Sequence, residues 1–257
     1  MSHLKIIIFS FSLVMATSLW SQNTKMVTIE RGTFVPLYGA TTKKPVLVNA
    51  FSIDVYPVTN EQYLEFIKKN PAYIRSKMKG IFADKSYLSH WKNDLDFGTT
   101  NLKNAPVTNV SWFAAKKYCE CQGKRLPSMD EWEYVAMADE KRIDARTKEE
   151  FNKYILSWYE KPKTYANPIG HTFKNYWGVY DMHGLVWEWT SDFNSIFLSG
   201  ESRKDKDTDK NLFCGSGSIN ATDLMNYAAF MRYAFRSSLK ARFTTKNLGF
   251  RCAKDLK

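Results

Sequence analysis

From Asp181 to Phe193 the chain reads DMHGLVWEWTSDF, which sets three carboxylates among two tryptophans, a histidine and a glycine. Carboxylates seldom enter a protein interior unless something pairs with them. This stretch therefore calls for a metal ion or an arginine opposite its acids, unless the acids lie at the surface. The rest of the chain shares its character, because aromatic residues make up 15% of the sequence. Each aromatic buries a large area, so a few of them can hold together a fold poor in regular helix and strand.

The first residues, MSHLKIIIFSFSLVMATSLWSQ, read as a secretion signal. Lys5 gives the positive start, Ile6 to Ala16 the apolar run, and small residues follow. The run is short for a membrane span. Residues 1–21 are expected to be removed near Ser21, leaving 22–257 as one domain that is secreted or periplasmic. The formal net charge is +11. The lysines are dispersed, as in IKKN, RSKMKG and KDKDTDK, with acids interleaved. That pattern describes a solvated basic surface and not a nucleic-acid-binding stripe. The four cysteines, Cys119, Cys121, Cys214 and Cys252, allow three pairings in an oxidising compartment, and the C-x-C at Cys119 is not a zinc spacing.

Along the chain, MVTIERGTFVPLY alternates apolar and polar residues around a glycine and predicts a bent strand, continued in KPVLVNAFSIDVYPV. Thr59 with Gln62, and Ser128 with Glu131, are capping-box patterns that open helices bearing Tyr63, Phe66 and Ile67, and Trp132 and Val135. Ser111 caps a third helix that Gly123 closes, with Trp112, Ala115 and Cys119 on one face. Residues 140–160 read as charged and helical. After Pro168 no long helix is evident, YAAFMRYAFRSSL is a short apolar piece, and NLGFRCA reads as a core strand.

GTFVPLY, FSIDVYPVTNEQYLEF, PVTNVSWFAAKKYC, GKRLPSMDEWEYVAM, GVYDMHGLVWEW and NLGFRCA follow one another between Met26 and Cys252. In these motifs the chain resembles the formylglycine-generating enzyme, or sulfatase-modifying factor, family. The resemblance implies an α/β (α+β) fold of the C-type-lectin-like kind, compact and poor in regular secondary structure. The family's prototype enzymes oxidise a cysteine of sulfatases with Cu(I) held by two thiols, at positions that fall near Leu224 and on Ala228 here. Neither is cysteine, so copper-dependent oxidation is not expected and no catalytic residue is assigned. A histidine-ligated iron site, as in another branch, is not expected either, because His90, His171 and His183 lack metal-ligand spacing. FCGSGSINATDLMNYAAFMRYAFRSSLKARFTTKNLGFRC with DMHGLVWEW is most similar to the exported accessory proteins that accompany copper nitrite reductases. That branch implies a protein partner, such as a copper enzyme or a peptide segment of one. The competing expectation is a metal-dependent oxidase that modifies a partner and uses Cys214.

The resemblance further implies one structural calcium, with carboxylates from Asp181 and Glu188 and backbone carbonyls from Gly184 and Val186, a donor set of the hard-cation kind. Without the ion, Asp181 and Glu188 meet arginines or water. It also implies a disulfide between Cys119 and Cys252. Trp187, Cys214 and Arg236 mark an expected groove for an extended peptide. The plainer expectation for Arg232, Arg236 and Arg251 is stacking on aromatics or pairing with a buried acid such as Asp192 or Glu188.

Overall fold

A computed structural model describes residues 24–36, 44–193 and 224–256 of the chain. The expected signal segment, residues 1–21, and Cys214 lie outside the described residues. Four short strands come first: β1 (Met26–Ile29), β2 (Gly32–Phe34), β3 (Val46–Val48) and β4 (Phe51–Asp54). They are followed by α1 (Asn60–Lys69), α2 (Trp112–Cys121), α3 (Met129–Ala136) and α4 (Glu149–Tyr159). The chain continues with β5 (Trp187–Glu188), α5 (Leu224–Ser237), β6 (Leu248–Gly249) and β7 (Ala253–Asp255). Long stretches between these elements carry no regular structure, in keeping with a mixed α/β fold held by aromatic packing.

The helix starts follow the local chemistry of their caps. Thr59 and Ser128 each accept from the backbone N–H three residues on, and the side chains of Gln62 and Glu131 accept from the cap N–H in return. Both capping boxes thus satisfy amides that would otherwise end a helix unpaired. Ser111 caps α2 by accepting from the Ala114 N–H, and Gly123 just beyond the helix end takes φ +67, a conformation that suits glycine.

Three antiparallel strands form the main sheet in the order β1-β4-β7, so the first and last described strands flank the same neighbour. β2 and β3 form a separate antiparallel pair, and β5 and β6 a parallel one. The two segments expected as bent or continuing strands are therefore each divided between two sheets. NLGFRCA is likewise not one strand: it supplies β6, then Phe250, Arg251 and Cys252, which are buried, and then the start of β7. The largest departure is YAAFMRYAFRS, which lies inside the 14-residue helix α5 where no long helix was expected. Its partner is α4, and Ala228 packs there with Phe151 and Ile155, so tertiary burial stabilises a helix whose own sequence signal is blurred by aromatics.

Two larger cores hold the fold together. One joins α1, α2 and the C-terminal strands through Tyr63, Phe66, Tyr118, Trp189 and Phe250. The other packs Ile29, Phe51 and Ile53 against Trp132 and Val135 of α3. The expected disulfide is present: Cys119 of α2 is bonded to Cys252, with the two Cα atoms 5.6 Å apart. Among the described residues no helix is long and apolar enough to cross a membrane.

Candidate functional site

The loop with which the sequence reading began is fixed from both ends. Trp189 is fully buried, and its indole N–H donates to the Val110 carbonyl at 2.9 Å. Glu188 is buried as well, and its carboxylate accepts from Arg251 Nε and Nη2 and, at 2.8 Å, from the Trp132 indole. Asp181 accepts from the backbone N–H groups of Gly170 and Thr172. Burial raises the Asp181 pKa, and those two amides together with Arg251 work against the rise.

These contacts bear on calcium. Arg251 already neutralises Glu188, and its remaining guanidinium bonds go to the carbonyls of Asp54, Val55, Tyr180 and Asp181. A cation thus already fills this oxygen-rich centre. The Asp181 carboxylate is committed to a different loop. As held here, Asp181, Gly184, Val186 and Glu188 do not fit a calcium ion. Among the described residues no cluster of three or more His, Cys, Asp and Glu side chains could hold a metal. Gly184 serves packing instead: at φ +126, a Cβ there would come within 2.8 Å of both Trp158 and Thr172.

That packing forms one wall of a cavity of about 350 Å³. Met182 to Glu188 line one side, and Trp158, Tyr159 and the turn after α4 line the other, with Lys161 and Lys163. Trp132, Arg232 and Arg236 complete the lining, with Lys246 and Asn247 on a further side. Trp187 is sandwiched between Tyr159, at a centroid distance of 4.9 Å, and Phe235, at 4.7 Å. The structure therefore brings Trp187 and Arg236 to one cavity, while Cys214, the third residue of the expected groove, lies outside the described residues.

The electrostatics of the lining come from α3 and α5. Arg232 and Arg236, one turn apart on α5, both bind Glu133 of α3: Arg232 through Nε and Nη2, and Arg236 through Nη1 at 2.7 Å. All three side chains are buried. Burial pushes the Glu133 carboxyl up, yet the two guanidinium groups outweigh it and hold the pKa at about 2. Of the acids expected to meet these arginines, Glu188 does pair with Arg251, whereas Asp192 accepts from the Met129 N–H and Glu133 serves Arg232 and Arg236 instead. The guanidinium of Arg236 also lies over the Trp132 ring, 4.6 Å from its centroid. Next to it His183 is neutral: burial first, and then Arg232, lower its pKa to about 3. Its Nε2 lies 2.8 Å from the Ala136 carbonyl, which can only accept, so that nitrogen carries the proton.

Sequence reasoning missed Glu133, Trp158, Tyr159, Lys161 and Lys246. For Glu133 a signal existed. Met129, Trp132, Glu133 and Ala136 share the buried face of α3, so an acid stood at a core position and required a cation.

The aromatic cores and the Cys119–Cys252 disulfide agree with what the sulfatase-modifying factor resemblance implies. The chain matches the profile of the sulfatase-modifying factor enzyme 1-like domain over residues 11–256, and it belongs to that family. Among curated relatives it is 28% identical to the inactive C-alpha-formylglycine-generating enzyme 2 of Bos taurus over 82% of this chain and 79% of that protein. It is 27% identical to the formylglycine-generating enzyme of Bos taurus, over 91% and 76% respectively. It is 26% identical to the serine/threonine-protein kinase Pkn1 of Chlamydia trachomatis, covering 91% of this chain but only 39% of the kinase. Among solved structures, PvdO from Pseudomonas aeruginosa aligns with 91% of this chain and 95% of its own, at 17% identity and a TM-score of 0.48.

Proposed function

We propose that this chain is a non-catalytic member of the family, an exported accessory protein whose pocket beside Trp187 and Arg236 receives a segment of a partner protein. One observation carries the reading. The positions that the resemblance gives to the copper-binding thiols fall at about Ala228 and near Leu224, neither of which is cysteine, and Ala228 is sealed at 0% exposure against α4. An alanine methyl has no lone pair for a soft ion, and Cu(I) selects thiolate or thioether sulfur. A bovine relative named as inactive, matched over most of its length, supports a scaffold kept for a purpose other than oxidation. The partner suggested by the resemblance is an exported copper enzyme such as a nitrite reductase.

Titration of the reduced protein with Cu(I) against a competing chelator, with Cys214→Ser alongside, tests this reading. The expected result is no stoichiometric tight site and identical curves for parent and variant. A tight site lost in Cys214→Ser overturns it in favour of an oxidase with a relocated copper centre.

A further inference from the structure

The geometry points to the ligand chemistry of this pocket: it takes a peptide carboxylate that lies next to an apolar side chain, with the acid docked on Arg236. This deepens the binding-protein reading above and rests on it. The first ground is charge. Arg232 and Arg236 share the single carboxylate of Glu133, so the trio carries one uncompensated positive charge although all three side chains are buried. Buried charges are stable when paired, and the cavity is where a partner for this one can enter. The other acid in the lining, Glu188, is already matched by Arg251. Lys161, Lys163 and Lys246 add positive charge to the lining and would steer an anion inward.

The second ground is the fork. Arg236 bonds Glu133 through Nη1, and among the described residues its Nε and Nη2 have no hydrogen-bond partner. That edge of a guanidinium presents two parallel N–H groups, the spacing that two carboxylate oxygens match. The third ground is the wall. Trp132, Trp158, Tyr159, Met182 and Trp187 line the cavity, and about 350 Å³ falls within the range of pockets that enclose a small apolar body. Lys161 lies over the Trp158 ring at 3.9 Å, which keeps an ammonium beside that wall.

Calorimetric titration with N-acetylphenylalanine, its amide, and N-acetylphenylalanyl-glutamate amide tests the proposal. At least one acid is expected to bind tenfold or more tightly than the neutral amide, in keeping with about 1.4 kcal/mol per decade. A preference for the first acid assigns a chain terminus as the ligand, and a preference for the second assigns an acidic side chain. Arg236→Gln is expected to remove the discrimination. If that variant does not fold by near-ultraviolet circular dichroism, Arg236→Lys, which keeps the charge but loses the fork, takes its place with the same expectation. Lys92→Gln, a charge change away from the pocket lining, leaves the affinities unchanged. Equal binding of acids and amide, no binding of any probe, or full discrimination in the folded Arg236 variant overturns the proposal. A tight Cu(I) site would instead overturn the accessory reading, so the two failures are distinguishable.

Discussion

Arg251 closes on Glu188 through a two-pronged contact, with Nε 2.8 Å from Oε2 and Nη2 2.8 Å from Oε1, and both side chains are wholly buried. The pair joins the C-terminal segment to the loop that walls the pocket. Breaking one partner of a buried ion pair leaves the other charge stranded, at a cost of about 3–5 kcal/mol. Arg251→Met should lower stability by that amount in urea unfolding, and the double variant Arg251→Met/Glu188→Gln should recover part of the loss. A single variant as stable as the parent would contradict the geometry.

The same pair makes a prediction about calcium. An ion held by the folded state raises its stability in proportion to the logarithm of saturation. Because Arg251 already supplies the positive charge at Glu188, the unfolding temperature should be the same in excess calcium and in chelator. A rise on adding calcium would mean that Asp181 and Glu188 leave their present partners for the ion.

The Cys119–Cys252 bond closes a loop with a sequence separation of 133. Loops of this size stabilise a fold by roughly 4–5 kcal/mol in the chain-entropy account. Reduction, or Cys119→Ala/Cys252→Ala, should therefore move the urea midpoint down markedly while leaving the native circular dichroism spectrum intact at zero urea.

Acid should weaken the protein in two stages. His183 and His90 ordinarily titrate near 6.5, but burial lowers them to about 3 and about 4 in the fold. Below pH 6.5 the unfolded chain takes up protons that the folded one refuses, so stability falls from about pH 6.5 towards pH 4. Glu133 adds a second loss, because its folded pKa of about 2 lies below the ordinary 4.5. Its contribution is complete above pH 4.5 and disappears as pH falls towards 2. Urea unfolding at a series of pH values measures both, and His183→Gln should flatten the upper stage.

Much of the fold could be read from the sequence where the signal is local. The caps at Thr59, Ser111 and Ser128 need only residues three positions away, and their helices begin where the caps place them. The disulfide followed from family resemblance and not from spacing. What escaped was non-local. The bent strands divide between sheets because β4 pairs with β1 on one side and with the distant β7 on the other. α5 escaped because its apolar face matches α4, some 70 residues earlier, a complementarity that no short window contains. In the site, Trp187 and Arg236 were foreseen as neighbours. Their acid was not, because Glu133 reads as an ordinary member of a charged helix start until α5 is set against it.

The order of the main sheet has a consequence for synthesis. β4 receives β1 within the first quarter of the chain, but its other edge waits for β7. A nascent chain that has reached only Arg242 has neither Arg251 to neutralise Glu188 nor Cys252 to bond Cys119 nor Phe250 to fill the core. Its loop acids and its larger aromatic core remain open until the segment from Leu248 to Asp255 is present, so that segment acts as a latch on everything made before it.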